Sequence, residues 1–108
     1  MITSKDIENE LQKIEEVAPK YAKAKADSYQ AMEWKKSQKA LLFAQAVGRT
    51  VADKENWVAV QPTLDVATKG VSQAIEEEEK LRWDLKQSEL KIEIWRTEQA
   101  TLRTERMM

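Results

Sequence analysis

The chain has 108 residues, 34% of them charged, with a formal charge of −1 and no histidine or cysteine. This excludes disulfide frameworks, thiol nucleophiles, zinc sites of the usual ligand types and histidine-based acid–base or triad chemistry, and gives no overall attraction to nucleic acid or acidic membranes. Two glycines, two prolines and 42% apolar residues describe a single helix-rich, turn-poor domain rather than a disordered chain.

Thr3 or Ser4 can cap a first helix, with Asp6 in its first turn complementing the helix dipole. Ile7, Leu11, Ile14 and Ala18 form its apolar stripe. Pro19 lacks an amide donor and disfavours a helical Ala18, so the first helix is predicted over about 4–17, with Pro19 opening the next. The second helix, about 19–47, carries Tyr21, Ala22, Ala26, Tyr29, Met32, Ala40, Phe43 and Val47, spaced by threes and fours with some irregularity. Gly48 is the expected terminator, in the left-handed conformation.

Thr50 and Asp53 make a near capping box for a third helix, about 51–60, in which Trp57 and Val60 extend the later heptad phase backwards. Pro62 and Thr63 mark a new start. From there to about 106 a strict 3-4 spacing runs through Leu64, Ala67, Val71, Ala74, Glu78, Leu81, Leu85, Ser88, Ile92, Trp95, Gln99 and Leu102, and nine of these twelve positions are apolar. This is a heptad seam that must be buried against other helices. Its length of ~58 Å, at 1.5 Å per residue, exceeds the width of a compact domain this small, so the rest of the chain or a second copy must run alongside it. Gly70 lies inside this helix at a cost of ~1 kcal/mol relative to alanine. The expected fold is all-α: a long antiparallel, coiled-coil-like helical hairpin turning at 48–50, with a short extra N-terminal helix, and oligomeric.

Charge is segregated along the chain. Residues 20–39 carry six lysines against two acids, and residues 53–79 carry two basic groups against seven acidic ones. An antiparallel hairpin lays the two stretches side by side.

Three groups of residues invite a functional reading. In the run Glu76 to Glu79, successive side chains point about 100° apart, so at most two could share one cation; a solvated face is favoured, with Glu78 on the seam fixing register. Lys25, Lys35, Lys36 and Lys39 fall within an arc of about 100° on the second helix, with Tyr21, Tyr29 and Trp34 interleaved. Lysines with stacking aromatics can hold single-stranded nucleic acid, but lysine stems lying over an apolar seam describe the arc as well. Trp83, Leu90 and Ile94 lie at heptad positions f, f and c, away from the seam. Either the N-terminal helix bearing Ile7, Leu11 and Ile14 covers them, or they form an oligomer or partner interface. Self-association, with a dimer favoured, leads because one long hairpin has little core to offer. No spacing nominates a catalytic, metal or cofactor site: Gly48 and Gly70 are isolated and form no phosphate-binding loop.

The stretch Glu79-Lys-Leu-Arg-Trp-Asp-Leu-Lys, then Lys91-Ile-Glu-Ile-Trp-Arg-Thr-Glu-Gln-Ala, together with Lys36-Ser-Gln-Lys-Ala-Leu-Leu, resembles a group of small helical proteins of tailed bacteriophages and prophages. Ile94-Trp95-Arg96-Thr97 is the most specific piece. Genes of that group often lie near replication and recombination functions, and the resemblance implies a phage accessory protein without assigned catalytic residues. The start lacks a signal-peptide core and no run approaches the ~20 apolar residues of a membrane span, so the expected location is the bacterial cytoplasm, away from the membrane. The expected function is non-enzymatic binding of a phage or host protein. Nucleic-acid binding through the 20–39 lysines and a virion scaffold or assembly role are the rivals.

Overall fold

The computed structural model describes residues 1–48 and 50–107. Arg49, inside the expected hairpin turn, lies outside the described residues. The fold is all-α: α1 (Ser4–Gln45), α2 (Val51–Ala59) and α3 (Pro62–Met107), with no strand among the described residues.

The chain forms two compact units. The first joins Met1–Ala22 to Glu79–Met108; the second is Lys23–Glu78. In the first unit the start of α1 and the end of α3 run antiparallel: Ile2 N donates to Glu98 Oε2 at 3.4 Å, and further along α1 the earlier Lys91 reaches Glu10 Oε1 at 3.1 Å. In the second unit, Leu42 near the end of α1 and Ala46 just beyond it bury Val58 of α2, with Trp57 and Leu64 packed against them.

The seam expected in α3 is the one observed. All twelve positions from Leu64 to Leu102 are buried or half-buried. The matching face of α1 differs from the expected one. Its shielded residues are Ile7, Glu10, Ile14, Val17, Tyr21, Ala24, Ser28, Ala31, Lys35, Gln38 and Leu42, an unbroken 3-4 series. Of the expected stripe, Ile7, Ile14 and Tyr21 lie on this face, whereas Leu11, Ala18, Ala22, Ala26, Tyr29, Met32, Ala40, Phe43 and Val47 are exposed.

No break occurs at Pro19, so the separate helices expected over 4–17 and 19–47 are one, and the described residues include no extra N-terminal helix. The heptad explains why. Counting Ile7 as position a, Pro19 falls at f on the outer face and is exposed, where the Glu15 carbonyl that loses its amide partner can be hydrated. The short helix expected at about 51–60 is α2, which follows α1 and precedes α3 in the chain.

The caps follow the sequence chemistry. Thr3 Oγ1 accepts from Asp6 N at 3.2 Å while Asp6 Oδ2 accepts from Thr3 N at 2.8 Å. Thr50 Oγ1 accepts from Asp53 N at 3.1 Å, as expected. Pro62 opens α3, where a missing amide costs nothing. Val60 does not extend the seam; it caps α2 and stands exposed.

The expected left-handed Gly48 is not found, for no described glycine has positive φ. The end of α1 closes with a tighter turn, Ala46 N to Phe43 O at 3.2 Å. Glycine is needed at 48 for another reason: a Cβ there would lie 2.9 Å from Asp53 Cβ.

Candidate functional site

The outer face of α3 in the first unit is the most unusual surface on the chain. The seam occupies positions a and d, so the opposite side is made by c and f. Trp83, Leu90 and Ile94 stand there, 53%, 52% and 51% exposed. The α1 residues expected to cover them go elsewhere: Ile7 and Ile14 lie on the seam and Leu11 is exposed.

The remaining c and f positions from 83 to 104 are Gln87, Thr97, Thr101 and Thr104, so none on this stretch is charged. The threonines are less polar than their composition suggests. Thr97 donates to Glu93 O at 3.1 Å, Thr101 to Thr97 O at 3.0 Å and Thr104 to Ala100 O at 3.0 Å. Each hydroxyl is spent on its own helix, leaving its methyl for the surface. The threonine signal was available in the sequence as a continuation of the Trp83, Leu90, Ile94 spacing.

Charges border this ridge. Lys86 Nζ lies 5.6 Å and the Arg82 guanidinium 5.9 Å from the Trp83 ring centre, and Arg82 also holds Glu79 at 2.7 Å. Both cations thus lie within cation–π range of the ring.

The lysines do not act as one group. Lys35 is half-buried on the α1 seam, whereas Lys25, Lys36 and Lys39 are exposed. Lys36 pairs with Glu33 at 3.4 Å. By helical phase Tyr29 lies in the strip with Lys25 and Lys36, while Trp34 lies on the opposite side. Tyr29 is 66% exposed. The basic stretch from Lys23 to Lys39 and the acidic stretch up to Glu78 fall in the same unit, as the charge pattern implied.

Of the glutamate run, Glu76 and Glu77 are exposed while Glu78 and Glu79 are half-buried, with Glu78 on the seam. Among the described residues no group of three or more metal-ligating side chains is placed to hold an ion.

Sequence reading missed a polar layer in the first unit. Glu10 sits on the α1 seam with its side chain 13% exposed and its Oε1 paired to Lys91. Ser88 lies close to it, off the geometry of a full hydrogen bond: Ser88 Oγ and Glu10 Oε2 are both buried without a partner. The Ser88 hydroxyl first, and the Lys91 ammonium second, hold the Glu10 carboxyl below its ordinary value. The layer borders a shallow groove of about 310 Å³ lined by Ile2, Asp6, Asn9, Glu10 and Lys91. This arrangement suits register-setting in a helix pair.

No described helix is long and apolar enough to cross a membrane. The chain matches no protein-family model, no curated protein and no solved structure.

Proposed function

We propose that this chain is a non-enzymatic bacteriophage accessory protein of the host cytoplasm, acting by binding another protein, of phage recombination or replication or of the host. The observation that carries protein binding is the uncharged outer ridge of α3, where Trp83, Leu90 and Ile94 stay exposed on a helix whose seam is already buried. An exposed apolar series at helical spacing costs solubility unless a partner covers it. The phage setting rests on the resemblance of the C-terminal stretch. The test is affinity capture from infected cells, comparing wild type with Leu90→Glu/Ile94→Glu. A protein retained by wild type and lost by the variant supports this function; identical captured sets refute it.

A second reading, nucleic-acid binding, draws on Lys25, Tyr29 and Lys36 sharing one exposed strip of α1. It predicts single-strand binding whose affinity falls steeply with salt.

A further inference from the structure

We infer that the outer ridge of α3 pairs with the same ridge of a second copy, antiparallel, about a two-fold axis between Ser88 and Glu89. This rests on the reading of that face as a protein-binding surface and names its partner. The inference comes from the charges bordering the ridge. When c and f form a helix–helix seam, positions b and g flank it, as g and e flank an ordinary one. On the first-unit stretch of α3 the b positions are Glu79, Lys86, Glu93 and Ala100; the g positions include Asp84, Lys91 and Glu98.

One direction and register satisfies Lys86, Glu93, Asp84 and Lys91 together, with Glu98 against Glu77 as its one repulsive pair. In a parallel pair each b residue meets the partner's g residue five places on, which sets Glu79 against Asp84, Lys86 against Lys91 and Glu93 against Glu98. Every contact is repulsive. In the antiparallel register centred between Ser88 and Glu89, b meets b and g meets g. Lys86 then faces Glu93 and Asp84 faces Lys91, and the two-fold axis repeats both pairs. The same register seats Trp83 on Ile94 and Leu90 on Gln87. Sliding one heptad either way breaks it, setting Glu79 against Glu93, or Glu93 against its own copy. The Lys91 side chain is 55% exposed while it holds Glu10, so it can also face Asp84 of the second copy.

Sedimentation equilibrium of the full chain at low salt tests this. Wild type should be a dimer at tens of micromolar. Lys86→Glu and Glu93→Lys, both on the exposed face, should each raise the dimer Kd about tenfold, because two attractions become two repulsions. Glu93→Lys leaves the Lys86–Trp83 contact in place and must behave like Lys86→Glu. The double variant, and an equimolar mixture of the two single variants, should recover wild-type association. A parallel pair predicts the reverse, with each single variant tightening. Tightening, or a dimer indifferent to both reversals, overturns this pairing. A monomeric wild type overturns self-association and leaves the capture experiment free to succeed or fail by itself.

Discussion

Lys91 Nζ lies 3.1 Å from Glu10 Oε1, an ion pair between residues 81 positions apart. It joins the first turns of α1 to the last third of α3, beside the buried hydroxyl of Ser88. A carboxylate on a helix seam, paired across it, tolerates fewer alternative registers than an apolar contact would.

This layer predicts a pH dependence. The Glu10 carboxyl is held below its ordinary 4.5 by Ser88 and Lys91, and that of Asp6 below 3.8 by the Thr3 amide and hydroxyl. A depressed folded-state pKa stabilises the fold above the ordinary value, and that stabilisation is lost as pH falls through the folded one. Thermal unfolding should therefore move to lower temperature as pH drops below about 4.5. Glu10→Gln should be less stable near neutral pH and show a shallower acid dependence. A Glu10→Gln profile parallel to wild type from about pH 6 to 3 would contradict this.

The two glycines predict opposite signs for one substitution. At Gly48 a Cβ would meet Asp53 Cβ at 2.9 Å, whereas at Gly70 nothing lies within 4 Å. Gly70→Ala in α3 should raise stability by about 1 kcal/mol, the helix-propensity difference. Gly48→Ala should lower it by displacing the first turn of α2 from the end of α1. Urea unfolding of both variants measures this; equal shifts would contradict the packing at 48.

The α3 seam was legible because most of its positions are apolar and its phase never slips. The α1 seam was hidden because Glu10, Ser28, Lys35 and Gln38 occupy seam positions while Leu11, Tyr29, Met32 and Phe43 lie off them. A hydrophobicity pattern follows the second set and drifts. Ala24 and Ala31, which carry little apolar signal, are shielded instead. Matching the seven-residue period of α3 to α1, rather than its apolar residues, recovers the true face. Pro19 misled for a related reason: its local rule holds, but its position on the outer face makes the lost hydrogen bond tolerable. The outer ridge was readable through Trp83, Leu90 and Ile94. Its extension by threonines needed the hydroxyl geometry.

Pro19 therefore predicts a gain. Pro19→Ala restores an amide donor to Glu15 O inside a continuous helix and should stabilise the protein by about 1–3 kcal/mol in urea unfolding. Loss of stability would show that the proline sets a bend that the α1 seam requires.

The exposed lysines separate the two functional readings. Lys25→Ala/Lys36→Ala/Lys39→Ala removes exposed charges and one surface ion pair, Lys36 with Glu33, so helix content and oligomeric state should persist. Under the protein-binding reading wild type shows no salt-sensitive single-strand binding, and the triple variant changes nothing in a shift assay. Single-strand binding by wild type with a steep salt slope, lost in the triple variant, would instead establish nucleic-acid contact. Lys35 does not belong in that experiment, because it is half-buried on the seam and its loss would perturb packing.

The two faces of α3 should respond oppositely to introduced charge. Leu85 and Ile92 are half-buried on the seam, whereas Leu90 and Ile94 are exposed on the outer ridge. Leu85→Glu removes a half-buried leucine, whose full burial would stabilise by ~1.5–3 kcal/mol, and leaves a carboxylate on the apolar seam, so it should lower the unfolding temperature. Leu90→Glu/Ile94→Glu touches no intramolecular core and should keep its helical circular dichroism and unfolding temperature at dilution. At tens of micromolar it should sediment as a monomer, since the paired ridges lose two apolar side chains and would bury carboxylates against Gln87 and Trp83 of the second copy. If the outer-face variant instead unfolds at dilution like Leu85→Glu, Leu90 and Ile94 belong to the core of the single chain and the outer ridge is not an interface.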